Sequence, residues 1–257
     1  MADIATAIIN KPAWVDLASS DPAAARDFYA NLFGWQVEVN PDPQYGGYGL
    51  AKIDGQDAAG IGGTQTPGQP TAWSLYIGTA DVDGLSKDVT AAGGSVVAPA
   101  FDVGDQGRMA VFQDPSGAFI SAWQRTRMGG FQTDAPNAFS WAELNARGVA
   151  QAVPFYEQVF GWTTRRSELA GAPDYVEFLV GEQSVAGAWE MNPAVPAEVP
   201  SYWLVYFEVD DVDARFRKAV ELGAREVSAP QDFPGGRYAI VTDPQGATFG
   251  LIRTQAP

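Results

Sequence analysis

Trp14-Val15-Asp16-Leu17, Phe28-Tyr29 and Phe33-Gly34-Trp35 return 127 residues later as Trp141-Ala142-Glu143-Leu144, Phe155-Tyr156 and Phe160-Gly161-Trp162. A second match, Asp114-Pro115-Ser116-Gly117-Ala118 with Asp243-Pro244-Gln245-Gly246-Ala247, keeps nearly the same offset. Similarity at a fixed offset across both halves marks a tandem duplication rather than a shared local motif. The spacing predicts one module over 1–127, a linker over 128–137 with little periodicity and several Gly and Pro, and a second module over 138–257.

Within the first module, Ser20 or Asp21 can cap a helix that starts at Pro22. Ala25, Phe28, Tyr29 and Leu32 then fall at helical spacing until Gly34 stops it. Alternating runs on either side, Ala13 to Ala18 and Trp35 to Val39, read as strands, and Gly47 to Ile53 and Ala58 to Gly63 read as a hairpin through Asp54-Gly55. The same grammar resumes after Pro70, with Trp73 to Thr79 as strand, Val82 to Ala92 as helix, and strands at Ser95 to Ala98, Arg108 to Gln113 and Ala118 to Gln124. Each half is therefore two βαβββ units, and the fold class is α+β. Gly60 to Gly63 and Gly104 to Gly107 lack the strand-to-helix context of a phosphate loop and read as turns. Asp210-Asp211 stand where they cap a helix and complement its dipole.

Composition narrows the chemistry. The chain has 257 residues, 46% of them hydrophobic, enough for two modules with cores. It has no cysteine, which excludes a thiolate nucleophile and thiolate-bound metal. It has no histidine, which excludes Ser-His-Asp and Cys-His catalysis. A formal charge of −15 argues against nucleic acid and anionic membrane partners. The first residues carry no signal-peptide pattern and no apolar stretch approaches a membrane span, so the expectation is a soluble cytoplasmic protein, monomer or homodimer.

The repeated Trp-x-(Asp/Glu)-Leu, Phe-Tyr and Phe-Gly-Trp blocks, Val209-Asp210-Asp211-Val212-Asp213, and Gly107-Arg108 and Gly236-Arg237 ahead of the two Asp-Pro-x-Gly-Ala turns resemble the vicinal oxygen chelate superfamily of glyoxalases, bleomycin-resistance proteins and extradiol dioxygenases. The chain is similar above all to a two-module actinobacterial group with glyoxalase-like and hydroxylase-like members and a mycobacterial antigen. The resemblance implies curved mixed sheets around cup-shaped pockets. It also implies metal ligands at three kinds of position: a His in the first strand of one unit, a His or Gln in the first strand of the next, and a Glu after the Asp-Pro-x-Gly turn. Here those positions hold Trp14 and Trp141, Ser74 and Leu204, and Ser121 and Gly250. Only a serine oxygen among them is a ligand, and a weak one. The expectation is no metal and no cofactor.

Strand alternation then predicts what lines each cup. Module one offers Trp14, Asp16, Ser74, Tyr76, Phe119, Ser121 and Trp123; module two offers Trp141, Glu143, Leu204, Tyr206, Glu208, Thr248 and Ile252. Aromatic walls with a few polar groups suit a small aromatic or amphipathic organic ligand, held by stacking and oriented by hydrogen bonds. Asp16 and Glu143, with Tyr76 and Tyr206, are the candidate catalytic residues, because a carboxylate desolvated by rings has its pKa raised. Three readings stand at this point: metal-independent sequestration of a ligand, acid–base enzymology of the isomerase, cyclase or lyase kind, and a scaffold whose cups are filled by Trp14 and Trp141. For Asp16 the alternative to catalysis is a hydrogen bond to a backbone amide or to Arg108 or Arg237. The two arginines recur in equivalent turns and read as structural.

Overall fold

The computed structural model describes residues 8–133, 135–167 and 174–255. The first repeat runs β1 (Pro12–Ser19), α1 (Pro22–Phe33), β2 (Gln36–Val39), β3 (Gly49–Ile53), β4 (Gln56–Gly63), β5 (Ala72–Gly78), α2 (Val82–Ala91), β6 (Ser95–Val103), β7 (Gly107–Gln113), β8 (Phe119–Arg125). The second runs β9 (Phe139–Ala146), α3 (Val149–Phe160), β10 (Thr163–Arg166), β11 (Val176–Val180), β12 (Gln183–Glu190), β13 (Tyr202–Glu208), α4 (Val212–Glu221), β14 (Arg225–Phe233), β15 (Gly236–Thr242), β16 (Thr248–Thr254). Each repeat forms an open, mixed eight-stranded sheet, in the orders β2-β3-β4-β1-β5-β8-β7-β6 and β10-β11-β12-β9-β13-β16-β15-β14. No helix among the described residues is long and apolar enough to cross a membrane.

Local chemistry fixes the helix ends. The Asp21 carboxylate accepts from the Ala24 amide at 3.1 Å, and Gly34 closes α1 in the left-handed region at φ 76°. The copy α3 begins at Gly148, which has no side chain to cap with; Glu190, at the end of β12, accepts from the Gly148 and Val149 amides at 2.7 and 2.8 Å instead. Asp211 caps α4 through the Ala214 amide, as its place in the sequence suggests.

Two readings shift. Gly60 to Gly63 lie inside β4, where the hairpin strand over Ala58 to Gly63 puts them, and not in a turn. The strand expected at Ser95 to Ala98 continues to Val103 through Pro99. β6 ends its sheet, where a missing amide costs no ladder bond, and its pairing with β7 slips between Ala98 and Phe101. β14 repeats this with Pro230 and a slip between Ser228 and Gln231.

Two compact units interleave the repeats: Met1–Trp14 with Leu75–Gly129 and Ala142–Trp203, and Val15–Ser74 with Gly130–Trp141 and Leu204–Pro257. Each unit combines one βαβββ unit from each repeat, and each has the same core. In the second unit Trp73 Nε1 donates to the Tyr29 hydroxyl at 2.9 Å, and Tyr29 donates to Asp243 Oδ2 at 2.9 Å. In the first, Trp203 donates to Tyr156 at 2.8 Å and Tyr156 to Asp114 Oδ2 at 2.8 Å. The Trp and Tyr rings meet edge to face at 5.3 Å in both. The other carboxylate oxygen shapes the turn: Asp243 Oδ1 accepts from the amides of Gln245, Gly246 and Ala247, and Asp114 Oδ1 from those of Ser116 and Ala118. Burial raises the pKa of both phenols well above the ordinary value, with the neighbouring carboxylate adding to it. Burial likewise raises Asp243, against the opposing pull of its hydrogen bonds.

Candidate functional site

Residues directly opposite one another on adjacent strands point to the same face of a sheet. Val15 and Leu17 are fully buried on the helix side of β1, so Asp16 lies on the other face. Its row continues through Gly60 of β4, Leu50 of β3 and Glu38 of β2. Over Gly60 lies the ring of Tyr48, whose hydroxyl donates to Asp16 Oδ2 at 3.2 Å. A Cβ at position 60 would sit 1.7 Å from that hydroxyl oxygen, so only glycine admits this arrangement.

The second repeat builds the same row from Glu143, Gly187, Glu177 and Arg165. Tyr175 lies over Gly187, its hydroxyl 1.8 Å from where a Cβ would stand. Here the row is more polar. Asn145 donates to Glu143 at 3.3 Å, and Tyr175 packs on Trp189 at 5.8 Å between ring centres. Burial, with the Glu143 charge behind it, raises the pKa of Tyr202. Glu177, which replaces Leu50, accepts from the Ser184 hydroxyl and from Arg165, each at 2.6 Å. Burial would raise its pKa; the Ser184 hydroxyl, the Arg165 guanidinium and Ser167 outweigh that and hold it below the usual carboxylate range.

The other half of each sheet carries a different surface. In the first compact unit Tyr76 pairs with Ser121, and Gly78 with Trp123, on the face of β8 opposite Ile120 and Ala122. Tyr76, Ser121 and Trp123 are all buried, and the edge of the Trp123 ring lies over Gly107. Phe119, at the start of β8, is 54% exposed. In the second unit Tyr206 lies over Gly250 and packs on Tyr238, while Leu204 and Ile252 are buried. Glu208 accepts from Ser140 and from the amide and hydroxyl of Thr254, and the hydroxyls of Thr248 and Thr242 share a hydrogen bond at 3.0 Å.

The expected site residues are thus divided: Trp14, Tyr76, Phe119, Ser121, Trp123 and Glu143 in the first unit, and Asp16, Ser74, Trp141, Leu204, Tyr206, Glu208, Thr248 and Ile252 in the second. Trp14 is buried, whereas its copy Trp141 is half-buried. Each recurring arginine bridges the helix before it and the hairpin it stands on: Arg108 binds Asp83 and Asp102, and Arg237 binds Asp213 and Asp232. Sequence reading missed Tyr48 and Tyr175, though both they and the glycines beneath them recur at the 127-residue offset. It missed Glu177 because nothing at the equivalent Leu50 draws attention to that position.

A family profile described as the Glyoxalase/Bleomycin resistance protein/Dioxygenase superfamily matches residues 11–121 and 138–251. The chain belongs to this superfamily. CFP32 of Mycobacterium tuberculosis, which carries a provisional glyoxylase designation, is 40% identical over 248 residues and 94% of each chain. The anthracycline biosynthesis protein DnrV of Streptomyces peucetius is 39% identical over 256 residues, 94% of this chain and 92% of its own. Among solved structures, the Mn(II)-bound glyoxalase from Novosphingobium aromaticivorans superposes with a TM-score of 0.66 at 16% identity, over 95% of this chain and 82% of that one. The dioxygenase LapB from Pseudomonas sp. KL28 superposes at 0.65 and 15%, over 96% and 93%. At these identities the two structures establish the fold alone.

The residues present do not fit a metal of the superfamily's kind. Buried Trp14, Leu204 and Ser121 stand at ligand positions, and Gly250, at the glutamate position, lies under the Tyr206 ring. Among the described residues no three His, Cys, Asp or Glu side chains converge.

Proposed function

We propose that this chain binds a small planar aromatic molecule without a metal, using a surface in each repeat where a tyrosine lies beside a carboxylate over a glycine of the sheet. The Tyr48–Asp16 pair over Gly60, built again as Tyr175 beside Glu143 over Gly187, is the observation that carries this reading. A ring beside a strand position without a side chain offers stacking area. The acid orients hydroxyl or amino groups on the ligand's rim. The relationship to a protein of anthracycline biosynthesis supports a fused-ring ligand, since anthracyclines are planar hydroxylated quinones. The excess of acids favours a neutral or cationic ligand over an anion.

Native mass spectrometry of the protein purified from its own host tests this. An added organic mass with an aromatic absorbance is the expected result; a retained metal ion, or a bare chain whose tryptophan fluorescence no planar aromatic quenches, contradicts it.

A second reading is acid–base catalysis on the same ligand class, favoured by the hydrogen bond from the Tyr48 phenol to the Asp16 carboxylate. Asp16→Asn keeps the shape and removes the base. A fall in turnover of about 10²–10⁴ with binding retained supports catalysis; a loss confined to affinity supports sequestration.

A further inference from the structure

Two of the rings around Glu143 have no counterpart beside its copy Asp16. Trp189 is the direct cross-strand partner of Asn145, so both share the face of β9 that carries Glu143. Tyr175, over Gly187, meets Trp189 at 5.8 Å between ring centres, with the two planes inclined by 44°. Trp203 sends its indole into the core, to Tyr156, so Tyr202 before it faces the other way, near enough to Glu143 for its phenol to feel that charge. Glu143, Asn145, Tyr175, Trp189 and Tyr202 are all half-buried, and all belong to the first compact unit.

This gathering is specific to one repeat. Trp189 corresponds to Gly62, Tyr202 to Ala72 and Asn145 to Ala18. The arginines of this face are engaged elsewhere. Arg165 donates to Glu177 and Ser184, and Arg147, just past the end of β9, donates to the carbonyls of Val195, Pro196 and Val199. An anion entering here meets the carboxylates of Glu143 and Glu177. A cation meets a carboxylate and π-systems that attract it.

We infer that the second repeat's row seats an organic ammonium group of the ligand among Tyr175, Trp189 and Tyr202, with the Glu143 carboxylate as its counter-charge. This rests on the binding reading above and adds the chemical class: a planar ring system that carries a protonated amine. An ammonium group on carbon sheds part of its water on entering, and the rings and the carboxylate replace it. A metal ion is not served in the same way, because it needs several charged oxygens, and among the described residues no three His, Cys, Asp or Glu side chains converge.

Calorimetric titration with aminomethyl-anthraquinone, protonated at neutral pH, and with hydroxymethyl-anthraquinone, of the same size and uncharged, reads this directly. At one of its two rows the native protein should bind the ammonium ligand about tenfold more tightly. Glu143→Gln should abolish that preference. Tyr202→Ala, which installs the residue of the first repeat without changing any charge, should remove much of it. Glu182→Gln takes an equal charge from an exposed turn of the same unit and should leave the preference in place. Equal affinity of the native protein for the two ligands overturns the ammonium seat while the aromatic reading stands. So does a preference that survives in Glu143→Gln, that Tyr202→Ala does not touch, or that falls as far in Glu182→Gln as in Glu143→Gln. If neither ligand binds, both fall. The two-ligand comparison in the native chain holds even if a variant does not fold.

Discussion

The Tyr29 hydroxyl donates to Asp243 Oδ2 across 2.9 Å, joining the helix of the first βαβββ unit to the Asp-Pro turn of the last. Tyr156 and Asp114 make the reciprocal bond at 2.8 Å. The duplication is therefore stitched by exchange: each repeat supplies the phenol that satisfies the other's carboxylate. That explains why the Phe-Tyr block and the Asp-Pro-x-Gly-Ala block recur together. Either one alone would leave a buried polar group without its partner.

Tyr29→Phe leaves two orphans, an Asp243 oxygen without its donor and Trp73 Nε1 without its acceptor. At ~1–3 kcal/mol for each unsatisfied buried group, the loss of stability should be ~2–6 kcal/mol, and Tyr156→Phe should match it. Chemical denaturation monitored by tryptophan fluorescence measures both.

The two phenols set an alkaline limit. Their pKa values are raised in the folded state, so their contribution is complete below the unfolded tyrosine value of about 10 and is lost as pH climbs from there toward the folded values. Unfolding free energy should fall above pH ~10, and Tyr29→Phe should flatten that fall. An unchanged slope in the variant would remove Tyr29 as its source.

Much of this fold was legible in the sequence, for a physical reason. The helix caps, the Gly stops and the strand alternation are local, and the repeat doubled every signal. The exchange between repeats was not legible, because Tyr29 and Asp243 are 214 residues apart and nothing local to either reports its partner. Half of each site row was legible in the same way. Asp16 and Glu143 follow from alternation in β1 and β9. Tyr48 and Tyr175 come from segments with no periodicity, and their role appears only once Gly60 and Gly187 are paired with the acids. The hairpin pattern puts Gly60 on a strand, but nothing local to it or to Gly187 shows that these positions are kept empty for a ring.

Gly60→Ala tests that last point. The new methyl would collide with the Tyr48 hydroxyl and crowd the Asp16 Cβ, 2.9 Å away. The ring must leave, so ligand affinity should drop about as far as in Tyr48→Phe or further. Gly34→Ala, at a left-handed helix stop with open space around it, should cost ~1 kcal/mol of stability and no affinity.

The second repeat's row should prefer more polar ligands than the first, because Glu177 stands where the first has Leu50. Glu177→Leu should narrow the difference in ligand preference between the two rows, as read by competition between amino- and methyl-substituted anthraquinones. If the preferences do not move, Glu177 serves only its contacts with Arg165 and Ser184.

The most direct test of metal-independent aromatic binding is a calorimetric titration of chelator-treated protein with a hydroxyanthraquinone, repeated after adding Mn(II). The account predicts saturable binding that is the same in both. Binding that appears only when the metal is restored, or no binding in either, would contradict it.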